Sequence, residues 1–225
     1  MFRTLGVVLG LLAASVAAHA HFLFIVPDAK DAAKALVVFS DDLDADEAVT
    51  MDKVAGLKLK VKDATGKVTE ATFEKDKHSF KVSVPGSGAR IAFGTVPYGV
   101  MQKGDAKPYL LAYHPKAVLG AIPANGGKLG DIPAELVAIA TDGKVKFQLF
   151  GLGKPVADAE ATVILPDGKK EKAKTDKDGF TKEFAGAGRY GVWVRFTEAK
   201  AGELDGKKYD EARHYATLVV DIAAK

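Results

Sequence analysis

The sequence predicts an all-β protein built from two immunoglobulin-like antiparallel β-sandwich domains. Its apolar segments are short and are bounded by Gly, Pro, Asp or Asn, the residues that commonly end strands. Residues 56–62 and 80–84 alternate apolar and polar side chains, as expected of strands that bury one face. Helical periodicity is scarce, so strands must carry the fold.

The first twenty residues have the pattern of a secretory signal peptide. Arg3 gives a positive start, residues 5–16 form an apolar run, and Ala18-His19-Ala20 is a small-x-small cleavage site. Cleavage there predicts a mature chain that begins at His21. A second cut, after Ala18, would instead begin the chain His19-Ala20-His21. Either product is expected to be periplasmic or secreted.

In the first half of the mature chain, residues 21–26 and 36–39 are continuous apolar runs, which predicts strands covered on both faces. A short helix is expected over residues 44–54, followed by the two alternating strands. Glycine and proline then concentrate in residues 120–133, which is typical of a linker. We therefore expect an N-terminal domain over residues 21–134 and a C-terminal domain over residues 135–225.

The second half has strand-forming segments at residues 144–150, 161–165, 188–196 and 214–222. Turns are expected at Pro166-Asp167-Gly168 and within residues 175–180. Strands and turns at this spacing are typical of a small antiparallel sandwich.

Composition excludes several function classes. Loss of Arg3 with the signal peptide lowers the formal net charge from +3 to +2, and no basic stripe with interleaved aromatics suggests a nucleic-acid partner. The chain has no cysteine, hence no disulfide and no thiolate ligand. No later apolar run is long enough to span a membrane. Nucleophile-elbow, phosphate-loop and His-Glu-x-x-His motifs are absent, so no enzymatic activity is predicted.

Two resemblances add to these patterns. Residues 153–163, 175–180 and 188–190 resemble the transthyretin-like or carboxypeptidase-regulatory modules of secreted bacterial proteins, which implies an immunoglobulin-type fold. Residues 21–27, 98–111 and 213–217 together resemble an exported bacterial family of unassigned function, often described as the periplasmic component of cobalt or nickel transport. That resemblance implies a divalent-metal role and a membrane metal transporter as a partner.

The residues themselves suggest a metal site. After cleavage, His21 offers an α-amine with a pKa of about 7.7–8.0 and an imidazole with a pKa of about 6.5, so a metal displaces only weakly held protons. His214 opens the last strand on its inward face, and His114 ends an apolar strand. We predict a site formed by His21, His214 and His114. Such nitrogen ligands suit nickel, cobalt, copper or zinc. The usual affinity order favours copper, whereas the family resemblance implies that the bound metal is nickel or cobalt.

Other readings stay open from the sequence alone. The acidic run over residues 41–47 lacks the pattern of a calcium loop and is expected to be a solvated loop or a helix start. His78 lies in a charged turn and is expected at the surface. An N-terminal histidine on a β-sandwich also fits a histidine-brace copper monooxygenase. Such enzymes bind polymers through an exposed flat aromatic surface, whereas this chain has a single tryptophan, Trp193, in a strand of the second domain. A third reading is a structural or adhesive protein without metal.

Overall fold

The computed structural model describes residues 21–224, so the predicted signal peptide and the alternative cut after Ala18 lie outside the described residues. The all-β prediction is confirmed. In chain order the strands are β1 Phe22–Pro27, β2 Lys34–Ser40, β3 Lys58–Lys62, β4 Val68–Glu70, β5 Thr72–Lys75, β6 Ser79–Ser83, β7 Arg90–Met101, β8 Tyr109–Leu119, β9 Ala134–Thr141, β10 Lys144–Gly151, β11 Lys154–Pro155, β12 Glu160–Ile164, β13 Lys170–Lys174, β14 Phe184–Ala185, β15 Gly188–Glu198, β16 Gly202–Leu204, β17 Lys207–Tyr209 and β18 Glu211–Ile222.

These strands form three layers around one large sheet. The central sheet has eight strands in the order β13-β12-β15-β18-β8-β7-β3-β4. A four-stranded sheet, β1-β2-β6-β5, packs on one face, and a smaller sheet of β9, β10, β11 and β14 packs on the other. Strands β16 and β17 form a separate hairpin. Each face of the central sheet therefore has its own apolar core.

The two halves of the chain meet in the central sheet through a parallel pairing of β8 with β18. Its register places Tyr113 opposite Tyr215 and Ala112 opposite His214. Every other strand pairing within residues 21–224 is antiparallel. The sheet is thus continuous across the expected domain boundary at residue 134; the division into two immunoglobulin-like domains stays a prediction.

Side-chain alternation along β8 and β18 assigns neighbouring residues to different cores. On β18, Val219 belongs to the core shared with β1, whereas Leu218 and Val220 belong to the core shared with β9 and β10. On β8, Ala117 belongs to the core shared with β1, and Val118 belongs to the core shared with β9 and β10. This period of two follows from strand geometry.

Strand β1 lies over the seam between β8 and β18 and is buried along its whole length. Among the strands of residues 21–224, it pairs with β2 alone. Two hydroxyls from the central sheet bond to backbone carbonyls of this segment: Thr217 Oγ1 donates to the carbonyl of Leu23 at 2.6 Å, and Tyr113 Oη donates to the carbonyl of His21 at 3.2 Å. These bonds fix residues 21–23 to the sheet.

The expected helix over residues 44–54 is wrong. The only helical segment there is a 3₁₀ turn, Asp52–Val54. Aspartate side chains instead bond to the backbone two residues ahead: Asp42 accepts from the amide of Asp44, and Asp46 from the amide of Ala48. Such local bonds compete with helix formation, which accounts for the loop.

A buried ion pair connects β8 to the start of β9. Lys116 Nζ donates to Glu135 Oε1 at 2.6 Å, and the two side chains are only 1% and 2% exposed. Lys116 also donates to the carbonyl of Leu136, while Glu135 accepts the amides of Leu129 and Gly130. Burial lowers the pKa of Lys116 to about 8, although Glu135 opposes this shift. The pair holds the glycine-rich linker against the central sheet.

We expect Lys116→Met to lower the free energy of unfolding by about 3 kcal/mol or more, because it leaves Glu135 buried without its cation. Lys144→Met removes an exposed pair with Glu183 and should change stability by less than about 1 kcal/mol. Urea unfolding followed by circular dichroism measures both values. Equal effects of the two substitutions would contradict this role for the buried pair.

Candidate functional site

His21 stands immediately before β1, on the face of the central sheet covered by β1 and β2. Its Nε2 lies 2.8 Å from Asp46 Oδ2, and the two side chains are 21% and 32% exposed. The ring also contacts Phe39, with centroids 5.8 Å apart. His21 is therefore a partly exposed imidazole held in place by a carboxylate, an aromatic ring and the bond from Tyr113 to its own carbonyl.

The bond to Asp46 decides which nitrogen of His21 can bind a metal. A carboxylate accepts a hydrogen bond from Nε2–H, which leaves the lone pair on Nδ1. Nδ1 is also the ring nitrogen that would close a six-membered chelate with the α-amine that the expected cleavage before His21 would free. The hydrogen bond from His21 lowers the pKa of Asp46, and the amide of Ala48 adds to that shift. Carboxylates commonly hold metal-binding histidines in this manner.

His114 and His214 meet on the opposite face of the central sheet. His114 Nε2 lies 2.9 Å from His214 Nδ1, and the side chains are 1% and 5% exposed. At the two ends of the pair, Thr95 Oγ1 lies 3.0 Å from His114 Nδ1 and Glu198 Oε2 lies 3.1 Å from His214 Nε2. We call this row of Thr95, His114, His214 and Glu198 the histidine relay.

An ionised Glu198 gives the histidine relay a single proton order. The carboxylate can only accept, so His214 carries its proton on Nε2 and accepts at Nδ1. His114 must then donate from Nε2 and accept at Nδ1, so the hydroxyl of Thr95 is the donor to that nitrogen. No buried side-chain nitrogen or oxygen in the described part of the chain lacks a partner.

Burial keeps both imidazoles neutral. It lowers the pKa of His114 to about 3, and the adjacent His214 adds to that shift. Burial also lowers the pKa of His214, although the hydrogen bond and charge of Glu198 oppose this effect. The two rings of the relay therefore act as neutral hydrogen-bonding groups.

The three histidines predicted to share one metal ion are divided by the central sheet. Tyr113 bonds to the carbonyl of His21, whereas the next residue along β8, His114, faces the other core. Within residues 21–224, no group of three or more His, Cys, Asp or Glu side chains could hold a metal ion. His114 and His214 come together, but away from His21. His114 was expected at the end of a strand, which is wrong: it lies in the middle of β8.

Trp193, the single tryptophan of the chain, is partly buried beneath β1. Its ring stacks on Phe22 with centroids 3.8 Å apart and packs against the core beneath β1. Tyr215 lies beside both rings. Trp193 therefore helps hold β1 against the central sheet.

Sequence reasoning did not identify Asp46, Thr95 or Glu198. Asp46 belongs to the acidic run, but nothing in the sequence connects it with His21, twenty-five residues earlier. Thr95 and Glu198 meet the histidines through strand register alone. His78 Nδ1 bonds to the carbonyl of Val49, outside both groups.

No family model matches this chain, and no curated protein matches it. Among solved structures it is similar to a biofilm-associated protein BSP domain, at 12% identity and TM-score 0.21, over 91% of this chain and 30% of that chain. A pullulanase from Anoxybacillus sp. LM18-11 matches at 13% identity and TM-score 0.21, over 84% and 27%. A 1.5-MDa bacterial ice-binding adhesin matches at 10% identity and TM-score 0.23, over 91% and 66%.

This chain thus spans less than a third of the length of the first two structures and 66% of the third. Similarities at these TM-scores carry no argument about function.

No helix within residues 21–224 has the length and apolar character needed to cross a membrane.

We predict that His114 makes stability fall with acidity. The folded protein keeps His114 neutral down to about pH 3, whereas the unfolded chain protonates this imidazole near pH 6.5. The stabilisation that depends on the neutral ring is therefore complete above pH 6.5 and is lost as the pH falls below that value. The loss should be on the order of 1 kcal/mol per pH unit. Urea unfolding of wild type and His114→Phe between about pH 3 and pH 6.5 gives the free energy of unfolding at each pH. With decreasing pH, this free energy should fall less steeply in the variant than in wild type.

His78→Phe is the matched control, since it removes a histidine outside the relay, and it should keep the wild-type slope. Parallel pH curves for wild type and His114→Phe would contradict the assignment of a buried neutral His114.

Proposed function

We propose that this protein is a periplasmic or secreted divalent-metal-binding protein whose metal-binding residue is His21 at the processed amino end. The observation that carries the proposal is the 2.8 Å contact between His21 Nε2 and Asp46 Oδ2. It fixes the ring while leaving the nitrogen suited to chelation, and the side chain is partly exposed. Cleavage before His21, expected from the sequence, supplies the α-amine.

The donor set fits a transition metal rather than magnesium or calcium. An amine and a neutral imidazole are nitrogen ligands, which nickel, cobalt, copper and zinc prefer. Asp46 would act on the ring, not on the metal, and would raise the basicity of Nδ1. Copper is favoured by the usual affinity order, whereas nickel or cobalt rests on the family resemblance of the sequence.

A site with two donors from one residue suits a metal that is carried as cargo. Two nitrogens leave most of the coordination positions to water or to a receiving protein, so the ion can be passed on by ligand exchange. Structural zinc sites instead take four protein ligands. We therefore favour an accessory role in nickel or cobalt uptake, with a membrane transporter as the receiving partner, or a copper-holding role.

The proposal predicts two losses of affinity for copper and nickel. Asp46→Asn should weaken binding by roughly tenfold, because a neutral amide orients and polarises the ring less well. One glycine added before His21 should weaken binding by more than that, because the α-amine is moved out of chelating reach. Isothermal titration of the processed protein, with its first residue checked by mass spectrometry, measures both changes.

His78→Ala is the control and should bind as wild type, as should His214→Gln, which alters only the opposite face of the sheet. The proposal fails if the added glycine leaves affinity unchanged, or if His214→Gln weakens binding as strongly as the added glycine does.

A further inference from the structure

A cavity of about 420 Å³ lies on the face of the central sheet that also bears the histidine relay. It is formed where β3 and β7 meet the end of the glycine-rich linker, and it is lined by Lys58, Lys60, Thr95, Pro97, Asp131 and Ile132, among others. Thr95 is exposed, although its hydroxyl bonds to the buried His114. The cavity therefore gives an outside molecule access to one end of the relay.

Within the histidine relay, the hydroxyl group of Thr95 already donates a hydrogen bond to a base, the His114 ring. The charge of Glu198 orders every proton in the row, and His114 Nδ1 accepts from Thr95 Oγ1 at 3.0 Å. The lone pairs of Oγ1 are then available to an electrophile in the cavity. This is the arrangement by which a threonine or serine becomes a nucleophile: a base in contact with the hydroxyl, and further groups that orient the base.

We infer that Thr95 is the nucleophile of a second site in this protein, one that takes an acyl group from a small carboxylic ester. The site is independent of His21, which lies on the other face of the sheet.

The acylation step balances without a cofactor. Thr95 Oγ1 forms a bond to the ester carbonyl carbon, and its proton moves to His114 Nδ1. The Nε2 proton of His114 can pass to His214 Nδ1, and that of His214 to Glu198, so that neither buried ring has to hold a charge. When the carbon–oxygen bond of the ester breaks, the protons return in reverse order to the leaving alkoxide.

Water completes the reaction by the same route. It attacks the acyl carbon and gives a proton to the relay, and it releases the carboxylic acid while Thr95 regains its hydrogen. In this reaction Thr95 and His114 are catalytic residues, and His214 and Glu198 are positioning residues.

The charges around the cavity favour an anionic ester. Lys58 stands directly opposite Thr95 in the register of β3 and β7, so both side chains lie on the same face. Lys60 lies two residues further along that face, and Asp131 is the acidic residue in the lining. A lysine beside the nucleophile can also stabilise the negative charge that develops on the carbonyl oxygen.

The test is acyl transfer from para-nitrophenyl acetate and from the anionic para-nitrophenyl hemisuccinate to the whole processed protein, with mass spectrometry of peptides to locate the acyl group. We expect wild type to release nitrophenol and to carry the acyl group on Thr95, faster with the hemisuccinate. Thr95→Val should abolish this labelling, and Thr95→Ser should restore it. Thr65→Val alters an exposed threonine hydrogen-bonded to Asp63 and should label as wild type.

Glu198→Gln tests the relay separately from the fold. This substitution should slow acylation of Thr95 by at least about tenfold. It should also change the nitrogen-15 chemical shifts of the His214 ring, because a carboxylate no longer holds the ring proton on Nε2. Thermal melting must show that the variant is folded.

Acyl groups found only on lysines, labelling that survives Thr95→Val, or a folded Glu198→Gln that acylates as wild type would each overturn the inference.

Discussion

The parallel pairing of β8 with β18 is the constraint on which the rest of the structure depends. It places residues about a hundred positions apart in the chain side by side, including Ala112 with His214 and Tyr113 with Tyr215. Antiparallel neighbours extend the sheet on both sides of this pair to a total of eight strands. The first strand of the chain then covers the seam, where it can bond to hydroxyls from both halves.

The alternation of side chains along those two strands creates two chemically different sites. One set of residues faces β1 and holds the backbone of His21, so that its ring stays near the surface beside Asp46. The other set faces away and forms a buried row of hydrogen bonds ending at Glu198. The first site has the partly exposed ring of His21, on which the proposed metal-binding role rests, whereas the second has rings that are already bonded to each other. The same sheet therefore separates the two proposed sites.

Much of the fold could be predicted from the sequence because strand signals are local. The continuous apolar run at β1 corresponds to a strand buried on both faces, and alternation in β3 and β6 to strands buried on one. In β2 the run is buried from Val37 onward, but Leu36 is exposed. The contact between His114 and His214 was only partly within reach, because His214 was expected on an inward face whereas His114 was expected at the end of a strand and lies in the middle of β8. The acidic run misled the prediction, because bonds from Asp42 and Asp46 to the nearby backbone replaced those of a helix.

The separation of His21 from the other histidines could not be predicted in this way. It depends on the register between β8 and β18, a non-local property that no periodic pattern within one strand encodes. The partners Asp46, Thr95 and Glu198 depend on register and loop path for the same reason. A one-residue slip would move every side chain of β18 to the other face, and His214 would then face the core beneath β1.

The most direct test of this account is the pattern of backbone nuclear Overhauser contacts between β8 and β18 in the isotopically labelled protein. The parallel pairing predicts contacts that advance together in rising order, from Leu111 with Arg213 to Pro115 with Thr217. Contacts that run in opposite order, that are shifted by one residue, or that are absent would contradict the shared sheet and the division of the histidines that follows from it.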